Sequence, residues 1–169
     1  MSDQSLSSYF SSRWSSKTFK DLRPRIISGV TMLAGSLLFL FAGAIPFSIL
    51  VFIVSLIMSW EWGRLVRGHS ADRSYLVHAI SVATAILLAI TGQHQLALAA
   101  IAIGAAGLFY LNFGSTAGLS AFGVAYVGIP AIVLVLLRGE TLEGALAVLF
   151  LFVVVWSADI AAFVGGSLV

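Results

Sequence analysis

The chain has 169 residues, of which 60% are hydrophobic and only 9% charged, and its mean hydropathy is +1.06. A water-soluble domain is about half apolar and about a quarter charged, so these side chains cannot cover a globule in water, and soluble enzymes and nucleic-acid-binding domains are excluded. There is no cysteine, which removes disulfides, thiolate metal sites and cysteine nucleophiles.

Residues 1–21 form a polar, serine-rich arm with Arg13, Lys17 and Lys20 set among Tyr9, Phe10, Trp14 and Phe19. Its composition fits a disordered tail. The alternative is a short helix lying on the membrane, with Phe10 and Trp14 one turn apart dipping in. The remainder, 22–169, reads as a transmembrane domain. Residues 26–60 hold no Asp, Glu, Lys or Arg over 35 positions, and 74–137 hold none over 64. A hydrocarbon core of ~30 Å needs about 20 helical residues at ~1.5 Å each. The first gap therefore holds two short helices and the second holds three, and a sixth apolar segment starts after Gly144. Helices satisfy their own backbone in lipid; a barrel would show strands of about ten alternating residues, and 146–155 does not alternate.

The first span is predicted over 26–44, with Pro24 near its start, where a missing N–H costs nothing. Ala42-Gly43-Ala44 looks like a signal-peptidase site, but the apolar run of 19 residues exceeds the usual ~7–15, so the segment reads as an uncleaved anchor. Pro46 marks a hairpin, and the second span reaches about residue 60. A charged loop over 61–74 carries Glu61, Arg64, Arg67, Asp72 and Arg73. Trp60 and Trp62 read as interfacial anchors, and Glu61 with Arg64 as a helical pair. The third span covers 75–91, with a turn at 92–95. The fourth, over 96–111, is rich in the Ala and Gly that let helices approach closely. An uncharged loop spans 112–120 and contains Gly114 and Gly118. The fifth span, 121–137, contains Pro130 as an expected kink. A charged turn covers 138–143, and the sixth span covers 145–164.

Six spans place the arm, the 61–74 loop, the 112–120 loop and the C-terminus on one side. That side holds Arg13, Lys17, Lys20, Arg23, Arg25, Arg64, Arg67 and Arg73, against Arg138 alone on the other. The positive-inside rule then predicts an all-α polytopic protein with both termini in the cytoplasm.

Asp159 is the one carboxylate within a predicted span. It lies roughly 22 Å along the last helix from Gly144 at ~1.5 Å per residue, toward the cytoplasmic end. A carboxylate there is costly unless paired, hydrated or metal-bound, and its default reading is functional. The histidines do not form a metal site: His69 is in a loop, His78 begins the third span and His94 lies in the opposite turn. Gly165-Gly166 could end the last helix or let a phosphate approach the backbone.

Four segments, in order, carry a resemblance. Trp156-Ser157-Ala158-Asp159-Ile160-Ala161-Ala162-Phe163-Val164-Gly165-Gly166 resembles the W-x-x-D-x-(G/A)-A-(Y/F)-x-x-G segment of the bacterial phosphatidate cytidylyltransferases, or CDP-diacylglycerol synthases. Leu22-Arg23-Pro24-Arg25-Ile26-Ile27-Ser28-Gly29 is similar to that family's entry into its first helix. Glu61-Trp62-Gly63-Arg64-Leu65 is similar to its E-W-x-R-L, and Tyr126-Val127-Gly128-Ile129-Pro130 with Leu137-Arg138 to its Y-x-G-x-P…L-R. The resemblance covers about 21–169. Ala161-Ala162-Phe163 departs from the more usual Gly-Ala-Tyr and lacks its hydroxyl. The family's S-P-x-K-T-x-x-G segment and its long C-terminal signature have no counterpart in these 169 residues.

The resemblance implies a reaction, CTP plus phosphatidate giving CDP-diacylglycerol and pyrophosphate, in the inner membrane. It implies Asp159 as a catalytic carboxylate and a ligand of Mg²⁺, with further aspartates supplied by the segment that has no counterpart here. One carboxylate cannot build a two-metal site, so this 169-residue form is expected to be inactive by itself. Helices that pack on that further segment would face lipid or a second copy, and a homodimer is compatible with this. On the residues alone, two other classes stand beside the enzyme. One is a small transporter or channel subunit using Asp159 as a proton or cation site, and the other is a non-catalytic membrane scaffold.

Overall fold

The computed structural model describes residues 27–68, 72–114 and 116–168. Among them it contains six helices: α1 (Ile27–Ala42), α2 (Ala44–Arg67), α3 (Arg73–Ile90), α4 (His94–Leu111), α5 (Ala117–Arg138) and α6 (Leu142–Leu168). The five from α2 to α6 are long and apolar enough to cross a membrane; α1 is apolar but shorter. The chain is therefore an all-α, multi-pass membrane protein. The basic arm, Pro24 and His69 lie outside the described residues.

The chain divides into two units, Met1–Leu38 and Phe39–Val169. In the first, the Thr31 and Ser36 hydroxyls donate to the carbonyls of Ile27 and Met32, four residues back, at 2.8 and 2.6 Å. Such internal bonds let a helix carry hydroxyls through an apolar solvent.

The second unit is organised around α5, which packs against α2, α3, α4 and α6. Its buried face descends from Ala117 through Val124, Val127 and Ala131 to Val135, the three- and four-residue spacing of one helix side. α2 buries Phe47 and Val51, α3 Val82 and Ile86, and α4 Ile101 and Leu108, with Ile101 and Val82 meeting α5 at Gly128. Lipid tails are as apolar as leucine, so burial does not by itself join helices in a bilayer; close backbone approach does. Accordingly α2 buries Ser48, Ser55, Ser59 and Gly63 along one side. α4 turns Gly104 onto α3 so tightly that an added Cβ would collide with both Oγ and Cβ of Ser81.

Several boundaries differ from the sequence reading. The hairpin after α1 is Gly43 alone, at φ 132°, and Pro46 sits in the first turn of α2, where it removes no helical hydrogen bond. The expected charged loop over 61–74 is largely helix. α2 continues to Arg67 and is stopped by Gly68 in the left-handed region (φ 74°), whose N–H bonds the Arg64 carbonyl at 3.1 Å. Charges are tolerated there because Arg64 and Arg67 occupy the last turn, at the negative end of the helix dipole. Glu61 and Arg64 are not paired; among the described residues the ion pair is Arg67 with Asp72. α5 begins at Ala117 and runs through Pro130, on its outer side, to Arg138. α6 runs through Gly165-Gly166 rather than ending there, although each glycine removes ~1 kcal/mol of helix propensity.

The two ends of the second unit are tied differently. At one end, Arg138 is 6% exposed and has no acidic partner among the described residues. Its Nε donates to the Leu40 carbonyl at 2.8 Å, and Nη1 to the carbonyls of Gly139 and Thr141, both at 3.2 Å. Leu40 and Gly139 lie at the C-terminal ends of α1 and α5, where carbonyls have no helical partner and the dipole is negative. Thr141 also caps α6 by accepting the Gly144 N–H at 3.2 Å. At the other end, Arg67 clasps Asp72 through two bonds, Nε to Oδ2 at 2.9 Å and Nη2 to Oδ1 at 3.1 Å. Asp72 also caps α3 by accepting the Tyr75 N–H at 2.8 Å. Partial burial pushes the Asp72 carboxyl up, but the bonds from Arg67 and Tyr75 and the Arg67 charge outweigh it and hold the group below 3.8.

Two outcomes follow from this packing. Gly104→Ala should lower the thermal midpoint in detergent by the equivalent of about 1–3 kcal/mol of overpacking. Gly107→Ala, whose new Cβ meets only Val77 Cγ1 at 3.8 Å, should leave it unchanged or slightly raised. Because the folded Asp72 carboxyl titrates below its unfolded value of 3.8, its contribution is present above that pH and is lost as pH falls through the folded value. Thermal midpoints measured between pH 6 and 3 should therefore fall more steeply for the wild type than for Asp72→Asn.

Candidate functional site

The C-terminal end of α2 and the N-terminal end of α5 are joined through one side chain. Trp62 Nε1 donates to the Leu119 carbonyl at 3.0 Å. The indole occupies the space over Gly123, where any Cβ would strike the ring. Its centroid lies 5.2 Å from the Tyr126 ring and 6.0 Å from Phe122, whose own rings are 5.8 Å apart. Trp62 is thus a half-buried contact between helices, whereas Trp60 is exposed. Trp62 and Tyr126 belong to two of the segments that carry the resemblance, and the fold stacks them on each other.

The same end gathers α3 and α4. Ser74 donates to Asn112 Oδ1 at 3.1 Å, and Asn112 Nδ2 donates to the Leu108 carbonyl at 3.0 Å. One turn beyond Ser74, His78 is fully buried, as is Ser120 on α5. The Gly123 backbone faces the His78 ring, and Arg67 is close enough to act on it electrostatically. Nevertheless Arg67 Nη1, His78 Nδ1, His78 Nε2 and Ser120 Oγ are all buried without a hydrogen-bond partner in the protein. Most buried polar atoms in folded proteins are paired, so four orphans at one junction of α2, α3 and α5 form a distinctive polar cluster.

The sequence reading used Arg67 only as a topological charge, His78 only as a rejected metal ligand and Ser120 only as a loop residue. The signal it passed over is spacing. Ser74 and His78 continue the buried line of Val82 and Ile86, and Ser120 heads the buried line of Val124 and Val127.

Asp159 is elsewhere. It lies on the exposed surface of α6, the least covered of the five long helices, about 26 Å from Leu142 along the axis at ~1.5 Å per residue. Ser157 beside it donates to the Val153 carbonyl at 2.6 Å, and Phe152 stacks on Trp156 at 5.3 Å. Asp159 makes no ion pair among the described residues. Nor do those residues contain any group of three or more His, Asp or Glu arranged to hold a metal ion. A lone exposed carboxylate does not fit Mg²⁺, which takes six oxygens in near-octahedral geometry.

Comparison with known proteins supplies a family. Residues 23–169 match the model described as the cytidylyltransferase family. Over 147 residues, 86% of this chain and 54% of the relative, the chain is 33% identical to the phosphatidate cytidylyltransferase of Brucella suis biovar 1 (strain 1330) and to that of Brucella melitensis biotype 1. It is 32% identical over the same coverage to that of Brucella abortus biovar 1 (strain 9-941). The chain spans about half the length of the curated relatives it matches. No solved structure matches it. The matched region takes in every helix from α1 to α6, and the chain belongs to the cytidylyltransferase family.

Proposed function

We propose that the protein acts in the synthesis of CDP-diacylglycerol from CTP and phosphatidate. The observation that carries this reading is the match over 147 residues, at 33% identity, to relatives named phosphatidate cytidylyltransferase. In the reaction, an oxygen of the lipid phosphate bonds to the α-phosphorus of CTP, the bond to the bridging oxygen of the β-phosphate breaks, and pyrophosphate leaves. The lipid substrate is confined to the membrane and the nucleotide to water. The reaction therefore needs a protein that holds its chemistry near headgroup depth on the side where the nucleotide is present.

The fold supports that placement. Arg64, Arg67 and Arg73 sit at the Trp62 end, against Arg138 at the other, and the positive-inside rule favours a cytoplasmic Trp62 end. α6 starts at the Arg138 end and carries Asp159 about 26 Å away from it at ~1.5 Å per residue. We assign Asp159 to the reaction centre. An exposed carboxylate on an apolar helix is expensive in lipid unless it faces water, a charge or another protein segment, and a centre handling triphosphate oxygens supplies such surroundings. Mg²⁺ is the ion the family resemblance implies, but the described residues do not by themselves provide its ligands, and Asp159 is assigned here as a carboxylate only.

The test is conversion of labelled phosphatidate to CDP-diacylglycerol by membranes in which the protein is expressed from its own gene. CTP-dependent conversion is expected from a protein that carries the further aspartates the resemblance implies, and none from these 169 residues expressed alone. In the former, Asp159→Asn should lower it about a hundredfold or more, the scale of losing one electrostatic group at a preorganised centre, with membrane insertion unchanged. Absence of CTP-dependent conversion by the protein with those aspartates would overturn the reading. Full turnover by Asp159→Asn would remove that residue from the centre.

A further inference from the structure

We propose that Arg67, His78 and Ser120 form a binding site for a terminal phosphate group, at the junction of α2, α3 and α5 and separate from the Asp159 surface. Three side chains, each more than nine-tenths buried, place four polar atoms at this junction; none of the four makes a close hydrogen bond in the protein, and the Gly123 backbone approaches the His78 ring. Their chemistry is donor-rich. An arginine has no acceptor at all, a neutral imidazole offers one donor and one acceptor, and a hydroxyl can do either. The ligand that completes such a set is one whose oxygens only accept, and a phosphate monoester presents three of them.

The electrostatics agree. Asp72 takes the Nε and Nη2 edge of the Arg67 guanidinium, which leaves Nη1 on the far side, screened from that carboxylate by the planar group itself. Arginine is suited to this double use because its fork can bind two oxyanions on different edges. The charged and titratable groups around the junction are Arg67 on α2 and Asp72, Arg73 and His78 at the start of α3; the facing part of α5 contributes Ser120 and Gly123 and no charge. Among the described residues, the carboxylate bonded at this junction is Asp72, on the Nε and Nη2 edge of Arg67.

The cluster is also shallow. His78 is about 7 Å and Ser120 about 5 Å inside the start of its helix at ~1.5 Å per residue. An 18-residue helix such as α3 rises only ~27 Å, less than the ~30 Å core, so the cluster lies just inside the hydrocarbon, one to two helical turns below the headgroups. Two sources could deliver a terminal phosphate there: phosphatidate from the bilayer, or inorganic phosphate and CTP from the water. The lipid arm rests on the function proposed above. Its test is binding rather than turnover, so the two can fail separately.

The experiment is ligand-dependent thermal stabilisation of the purified protein in mixed micelles, for the wild type, His78→Leu and Ser120→Ala. The probes are phosphatidate, diacylglycerol, phosphatidylcholine, inorganic phosphate and CTP. Without ligand, both variants should melt at or above the wild-type midpoint, because each removes a buried orphan and leaves the Arg67–Asp72 clasp in place. Phosphatidate should raise the wild-type midpoint, and each variant should need about tenfold more of it for the same shift, the scale of one lost charge-assisted or neutral hydrogen bond. Diacylglycerol and phosphatidylcholine, which lack a terminal phosphate, should do neither. If inorganic phosphate or CTP gives the variant-sensitive shift and phosphatidate does not, the phosphate site stands and its ligand comes from water. Equal phosphatidate shifts in all three proteins overturn the site while leaving the proposed function intact. Lowered ligand-free midpoints in both variants, with no probe shifting the wild type, overturn it as well and make the cluster a structural element.

Discussion

The fold depends on how closely α5 can approach its neighbours. In water, an apolar helix is driven onto its partners; in a bilayer that drive is absent, and association needs intimate contact or polar bonds between helices. α5 obtains both. Glycine and serine thin the surfaces of α2 and α4 where backbones meet, and at Gly123 the absent side chain is replaced by the indole of Trp62. α3 and α4 then share one deep contact at Gly104 and Ser81. α6, packed against α5 but little covered beyond its start, is the helix that this scheme binds least.

Arg67 and Arg138 show two ways of keeping a cation at the edge of lipid. Arg138 spends its donors on carbonyls that helix geometry would otherwise leave bare, so its charge is solvated by the ends of α1 and α5. No carboxylate is needed, and desolvation is offset by main-chain dipoles that are already in place. Arg67 is bonded on one edge to Asp72 and is unbonded at Nη1. A structural arginine is expected to resemble the first. The second is incomplete, and its incompleteness is shared by His78 and Ser120 beside it.

The number of apolar segments was legible in the sequence because charges punctuate it. The turn at 92–95 and the break after Asn112 fall where Gly92, Gln93 and Gly114 interrupt the apolar runs. The length of α2 was not legible in the same way. Hydropathy counts Glu61, Arg64 and Arg67 as loop residues, whereas a helix emerging from lipid can carry them in its last turn. The bonds of Arg138 were not legible either, since counting basic residues ignores what they bond. The polar cluster depends on which faces of α2, α3 and α5 meet, and no local pattern specifies that. Asp159 was visible by rarity alone. The family was legible because its motif segments are short and ordered, and the fold brings Trp62 of one against Tyr126 of another.

Trp62 also sets what can move. Its N–H holds a carbonyl of α5 while its ring fills a slot only glycine can provide, so α2 and α5 cannot slide or rotate past each other without withdrawing the ring. The Arg67–Asp72 clasp fastens the start of α3 to the same pair, and Ser74 ties α3 to Asn112 at the end of α4. This end of the bundle is therefore pinned helix to helix by side chains, independently of the loops that connect them.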